Sequence, residues 1–246
     1  MPVTRPPVRL RRSREPAGRS RARVGSGDAA RPIHSRADPI GHTGAMNTNV
    51  WFGKGVADDG EFRLCGTVSG RRTIELGIAP VPSSVVANAV ALAIAGAKSI
   101  VVDPNADRIT DVRRQAELAE VRVECHLGEL ADLGFATSGS VDLVVATQTL
   151  DDVDDLPRLL RQVHRVLRPD ASFVVSLTHP FAAMFDAGHD APRRRYGVSA
   201  RSIGEMFMSF ERSNFRIDVI HELTPLAARD ALVPTVLLLR ARKLGV

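Results

Sequence analysis

The sequence predicts an α/β domain on a doubly wound, seven-stranded sheet, mostly parallel and closing on an antiparallel C-terminal strand pair. Three observations predict it. From Met46 onward, short apolar strands alternate with helical segments. The strands are apolar on both faces, as in a parallel sheet covered on both sides. The last two strands are joined by a loop with no crossover helix, a connection that pairs neighbours antiparallel.

The elements follow in order. "RTIELG" is a β-rich run ending at Gly77, and "SSVVANAVALAIAGA", apolar nearly all round, predicts a helix buried against the sheet. "SIVVD" is a second strand, closed by Asp103 and Pro104, and "NADRITDVRRQAELAE" is an amphipathic helix with that proline just ahead of it. "VRVECHL" and "VDLVVATQTL" are the third and fourth strands. "DDVDDLPRLLRQVHRVL" predicts a helix with acids in its first turn and basic residues in its last. "ASFVVSLTHP" is the fifth strand, "SIGEMFMSFERSNF" a helix, and "RIDVIHEL" and "TVLLLRARK" the final pair.

Charge divides the chain into two regions. Of 246 residues, 33 are basic and 28 acidic, but residues 1–45 hold 10 Arg and no Lys against Glu15, Asp28 and Asp38. Beyond residue 45 there remain 23 basic and 25 acidic residues, so the basic character belongs to the leader. That leader is rich in Arg, Pro, Gly and Ser and is expected to be disordered, since it offers little apolar surface to offset the entropy of ordering it. It has no apolar core of the length a secretory signal needs. Three readings stay open: a mis-assigned start with Met46 as the true first residue, a neutral tail, or a phosphate-binding arm. The first is preferred, with a folded domain over 46–246.

Cys65 and Cys125 stand in unlike contexts with no CxxC and no paired His, which argues against a structural zinc site and against a disulfide framework. No metal is expected. The longest apolar stretch, from Val85 to Ala97, is too short to span a bilayer. A cytoplasmic protein without a membrane partner is expected.

The segment from Gly139 to Pro180 carries a set of ordered motifs: Val141-Asp142-Leu143-Val144, Leu150-Asp151-Asp152-Val153, Arg165-Val166-Leu167-Arg168-Pro169-Asp170 and Ser176-Leu177-Thr178-His179-Pro180. With Glu75-Leu76-Gly77 ahead of them, they resemble the class I S-adenosylmethionine-dependent methyltransferases, in particular the small-molecule, methyltransferase type 11 kind. The resemblance runs from about Trp51 to Lys243 and implies a Rossmann-like fold, S-adenosylmethionine as cofactor and a small-molecule substrate. The departures are specific. Ala79 and Val81 stand where the family has further glycines, Asp170-Ala171 replaces a Gly-Gly turn, and Asp151-Asp152 replaces paired histidines.

The altered loop discriminates between cofactors. A dinucleotide needs backbone N–H groups aimed at its pyrophosphate. Pro80 and Pro82 have no N–H, and Ala79 and Val81 carry a Cβ, so the loop is a poor anion cradle. S-adenosylmethionine carries no phosphate and asks only for close passage.

Further site residues come from the resemblance. Glu75, Gly77 and Ala79 belong to the cofactor loop. Asp103, with Pro104 after it, is placed to accept the ribose hydroxyls, or else simply caps the next helix. Glu129 and Leu130 match the adenine-flanking position, or form a solvated loop. Thr147 and Gln148 leave the fourth strand at the ligand edge of the sheet and are candidates for the methionine end. Trp51 and Phe52 either fold over the cofactor or anchor an N-terminal helix. His179 is the one candidate base, with a structural role as the alternative. Phe181 and Tyr196 lie in a long loop expected to contact substrate or form a lid. His164 is expected at the surface, and the "DDVDD" carboxylates at a charged helix start. Methyl transfer requires alignment more than a catalytic triad, and a base only for a protonated acceptor. The leading expectation is methyl transfer to a small molecule. The alternative is an inactive methyltransferase-fold protein serving in binding or regulation. Nucleic-acid binding would rest on the leader alone.

Overall fold

The computed structural model describes residues 47–228 and 231–245. The Arg-rich leader and Met46 lie outside these residues. Seven strands form one sheet in the order β3-β2-β1-β4-β5-β7-β6. The parallel strands are β1 (Arg72–Leu76), β2 (Lys98–Asp103), β3 (Val123–Leu127), β4 (Val141–Thr147) and β5 (Leu167–Thr178). β7 (Val236–Lys243) runs antiparallel between β5 and β6 (Phe215–Leu223). This is the expected sheet. Chain order reverses between β1 and β4, and the C-terminal ends of those two strands therefore diverge around a crevice.

Helices cover both faces. α1 (Asp59–Phe62) is a single turn capped by Asp58. α2 (Asn88–Ile94) and α3 (Ala106–Leu118) pack on one face through Ala89, Val90, Ile109 and Val112, against Val101. α4 (Leu156–Val166) and α5 (Ile203–Arg212) cover the other, where Leu160, Val163, Met206 and Phe210 meet Ile74, Val144 and Phe173. Ser202 and Glu205 form a reciprocal capping box at the start of α5.

Three elements differ from the sequence expectation. The helix expected over "SSVVANAVALAIAGA" keeps only Asn88–Ile94. The chain ahead of it turns at Ser83 and Ser84, with Val85 N–H donating to Pro82 O at 2.9 Å; Val85 also forms a bridge to Asn47, and Ala87 donates its N–H to Gln115 Oε1 at 2.8 Å. The acids of "DDVDD" do not enter the first turn of α4. Asp155 is its N-cap, accepting from Arg158 N–H at 2.8 Å, and the others form the loop ahead of it. β5 begins at Leu167 and carries a register shift opposite Val141 and Leu143. Asp170 there takes φ +59°, the left-handed conformation that Asp tolerates in place of the family's glycine. His164 is half-buried, with Nε2 2.9 Å from the Leu244 carbonyl and its ring edge-on to Phe215.

Candidate cofactor cleft

A cleft of about 590 Å³ opens at the C-terminal edge of the sheet, where β1 and β4 diverge. Its lining includes Gly77, Ala79, Asp103, Pro104, Glu129, Leu130 and Gln148, seven residues selected from the sequence on separate segments. The fold brings them to one place because each follows the C-terminal end of a parallel strand.

Local geometry explains how they are held. Gly77 has φ +73°, and a Cβ there would come within 2.8 Å of the Thr149 side chain, so glycine is required at this turn. Thr149 donates its hydroxyl to the Leu76 carbonyl at 2.6 Å, closing the floor between β1 and β4. Gln148 leaves β4 at φ +55°, an uncommon conformation for a residue with a side chain, and its N–H is held by Ser176 O at 2.8 Å. Its side-chain amide donates toward Phe52 O and Ser176 Oγ at 3.4 and 3.3 Å.

Asp103 is the central carboxylate. It is 1% exposed. Oδ2 accepts the Ile78 N–H at 2.7 Å and Oδ1 the Asn105 N–H at 2.7 Å, which ties the end of β2 to the loop after β1. Arg108, on the first turn of α3, reaches Oδ2 at 3.6 Å. The helix-cap reading of Asp103 is corrected: Asn105 caps α3, accepting from Asp107 and Arg108 N–H groups at 2.9 and 3.1 Å.

Several expected site residues fall outside the lining. Glu75 is buried under the loop, where Oε2 accepts the Ala89 N–H at 2.6 Å and so caps α2 from the neighbouring strand. Burial, opposed by that bond and assisted by the Asp103 charge, pushes its carboxyl up to about 8. Thr147 is likewise buried, with Oγ1 accepting from Asn88 Nδ2 at 2.8 Å. The same Asn88 accepts the Trp51 N–H at 2.7 Å and donates to Trp51 O at 3.1 Å. Trp51 packs on Ala79 and Val85, and Phe52 is fully buried in a second cluster. Both aromatics anchor the N-terminal segment to the sheet, and neither is among the residues lining the cleft.

His179 is also fully buried, and its candidacy as a base is corrected. Its Nδ1 accepts the Phe181 N–H at 3.2 Å, which places the ring proton on Nε2, 2.9 Å from Glu222 Oε1. Neither nitrogen keeps a free lone pair for a substrate. Phe181 and Tyr196 are partly exposed and 5.1 Å apart between ring centroids, with Tyr196 Oη accepting from Ile203 N–H. They stand outside the cleft lining.

Sequence reasoning missed Ile78, Arg108, Thr149, Asp152, Val153 and Arg158, all of which line the cleft. Arg108 had a signal, since a residue five after a strand-end acid sits on the first helical turn and points back at it. The loop from Leu150 to Val153 is fixed from two sides. Asp151, in place of the family's histidine, accepts from Thr178 N–H and Oγ1 at 3.1 and 2.8 Å, with burial raising its carboxyl above the usual range. The Arg201 guanidinium donates to the carbonyls of Leu150, Asp151 and Val153.

Comparisons with known proteins agree with this geometry. Residues 83–175 match the model of the methyltransferase domain family. A probable S-adenosylmethionine-dependent methyltransferase of Mycolicibacterium smegmatis is 30% identical over 126 residues, which is 46% of this chain and 48% of that protein. The chain thus spans about half the length of this curated relative. The structure of an S-adenosylmethionine-dependent methyltransferase from Mesorhizobium loti superposes with a TM-score of 0.60 at 23% identity, over 74% of this chain and 95% of the other. The cyclase SpnF superposes at 0.57 with 16% identity, over 80% and 87%. Residues 83–175 thus match the methyltransferase domain family, and the whole sheet has the fold of the solved S-adenosylmethionine-dependent methyltransferase structures it resembles. The cofactor implied by that family is S-adenosylmethionine.

Proposed function

We propose that the protein transfers a methyl group from S-adenosylmethionine to a small molecule in the cytoplasm, using the cleft between the ends of β1 and β4. The observation that carries the reading is the position of the Asp103 carboxylate, buried at its root and lining the cleft beside Gly77 and Gln148. S-adenosylmethionine, when bound, supplies an electrophilic methyl group on a sulfonium. The chain's own part is to bind and orient it. Asp103 would accept from the ribose hydroxyls, Glu129 and Leu130 would flank the adenine, and Gly77 would let the backbone pass closely. The rim carries Asp103, Glu129, Asp152, Asp154 and Asp155 against Arg108 and Arg158, a net negative balance that favours a cationic cofactor over a dinucleotide. With His179 engaged on both nitrogens, the reading gives it no role as a base.

One observation favours the second reading, a binding or regulatory protein without activity. Each Asp103 oxygen already has a backbone donor, and Arg108 pairs with one of them. Calorimetric titration of the protein with S-adenosylmethionine and S-adenosylhomocysteine tests both readings. Binding of either, with none of NAD, is expected. Silence with both would overturn the enzyme reading, and binding of NAD alone would overturn the choice of cofactor.

A further inference from the structure

The opposite, N-terminal edge of the sheet holds a second cleft, larger than the first at about 910 Å³. Four cations stand in its walls: Arg72 at the start of β1, Lys98 at the start of β2, Arg122 ahead of β3 and Arg168 near the start of β5. Two acids accompany them, and both are occupied. Asp142 pairs with Arg168 at 2.6 Å and accepts the Arg72 backbone N–H at 2.9 Å. Glu124 Oε1 lies 2.8 Å from His126 Nε2. The ion pairs among the described residues leave the side chains of Arg72, Lys98 and Arg122 without a counter-charge.

A second, independent feature marks the same place. Among the described residues, the buried side-chain oxygens without any hydrogen-bond partner are Thr73 Oγ1 and Ser99 Oγ. They are register partners on β1 and β2, and Ser99, only 4% exposed, is part of the cleft wall. Buried hydroxyls normally find a partner, and of these two orphans Ser99 Oγ belongs to a residue of the cleft wall, beside the unpaired cations. Hydroxyl, ammonium and guanidinium donors arranged together match the oxygens of a phosphate group. Among the described residues no aromatic side chain lines the cleft, and those residues offer no platform on which a nucleic-acid base could stack.

We propose that this cleft is a binding site for a small phosphate-bearing anion, separate from the cofactor cleft at the other end of the strands. Arg72, Lys98 and Arg122 supply the charge, and the Ser99 hydroxyl supplies a directional donor at the floor. Lys98 and Arg122 are exposed along their rims, so replacing them leaves the core intact.

Inorganic pyrophosphate is the probe, titrated calorimetrically into the full chain at constant ionic strength. The Lys98→Ala, Arg122→Ala double variant is expected to bind it about 10-fold more weakly or worse, and Ser99→Ala about 10-fold more weakly, the loss of one charge-assisted hydrogen bond. Affinity for S-adenosylhomocysteine should be unchanged in both. Absence of pyrophosphate binding by the wild type would overturn the proposal. So would affinity that survives the double variant, because the leader's arginines are common to both proteins. Tighter binding of a single-stranded RNA oligonucleotide through the same two residues would overturn the small-ligand assignment.

Discussion

The Asp103 carboxylate accepts the Ile78 backbone N–H at 2.7 Å, fastening the end of β2 to the loop that follows β1. The proposed cofactor site and the local fold thus share one side chain. Replacing it disturbs both.

Asp103→Ala is accordingly expected to lower S-adenosylhomocysteine affinity about 10- to 100-fold and fold stability by about 2 to 4 kcal/mol, because the Ile78 and Asn105 N–H groups lose a charged acceptor. Calorimetry and chemical denaturation measure the two effects separately. A stability loss with unchanged affinity would confine Asp103 to a structural role.

In the proposed site Arg108, about half exposed and 3.6 Å from Asp103 Oδ2, would compete with a ribose for that oxygen. Exposed pairs contribute about 0 to 1 kcal/mol, so Arg108→Ala should tighten S-adenosylhomocysteine binding by no more than about 5-fold. A loss of affinity in this variant would make Arg108 a ligand-contacting residue instead of a competitor.

Glu75 predicts a pH dependence. Its folded-state carboxyl is raised to about 8 by burial, from 4.5. Between these values the folded state holds a proton that the unfolded chain has released, so stability falls as the pH rises, by at most about 1.4 kcal/mol per unit. Glu75→Gln keeps an acceptor for the Ala89 N–H and removes the titration. Its melting temperature should exceed that of the wild type near pH 8, and the difference should shrink toward pH 5. A constant difference across that range would contradict the assignment.

Arg201 holds the carbonyls of Leu150, Asp151 and Val153 with one guanidinium. Arg201→Lys cannot reproduce that fork. Amide hydrogen exchange at residues 150–153 should accelerate, and cofactor affinity should drop several-fold through a mobile rim. Unaltered exchange there would show that the Asp151 bonds to Thr178 are sufficient.

A chain shortened to begin at Met46 should melt at the temperature of the full chain. Asn47 is already tied to the structure, through its bridge to Val85 and a 2.6 Å bond from Nδ2 to Asp58. A melting point lower by many degrees would make residues 1–45 part of the fold.

The sheet was legible in the chain because strand and helix periods are local. Val141–Thr147 is apolar on both faces and Ala106–Leu118 on one, and these patterns alone require a covered parallel sheet. The strand-end positions of Gly77, Asp103, Glu129 and Gln148 were legible for the same reason, since every parallel strand ends at the same sheet edge. Which side chains face ligand and which face protein depends on partners remote in sequence. Glu75 turns to the Ala89 amide, Thr147 and Trp51 meet at Asn88, and His179 is consumed between Phe181 and Glu222. The unpaired hydroxyls of Thr73 and Ser99 likewise emerge only from strand register. Sequence alone determined the layers and the edge at which the candidate site lies, because those follow from local hydrophobic pattern. The tertiary structure alone decided the role of each polar group, because a buried donor or acceptor is defined by the distant group that satisfies it.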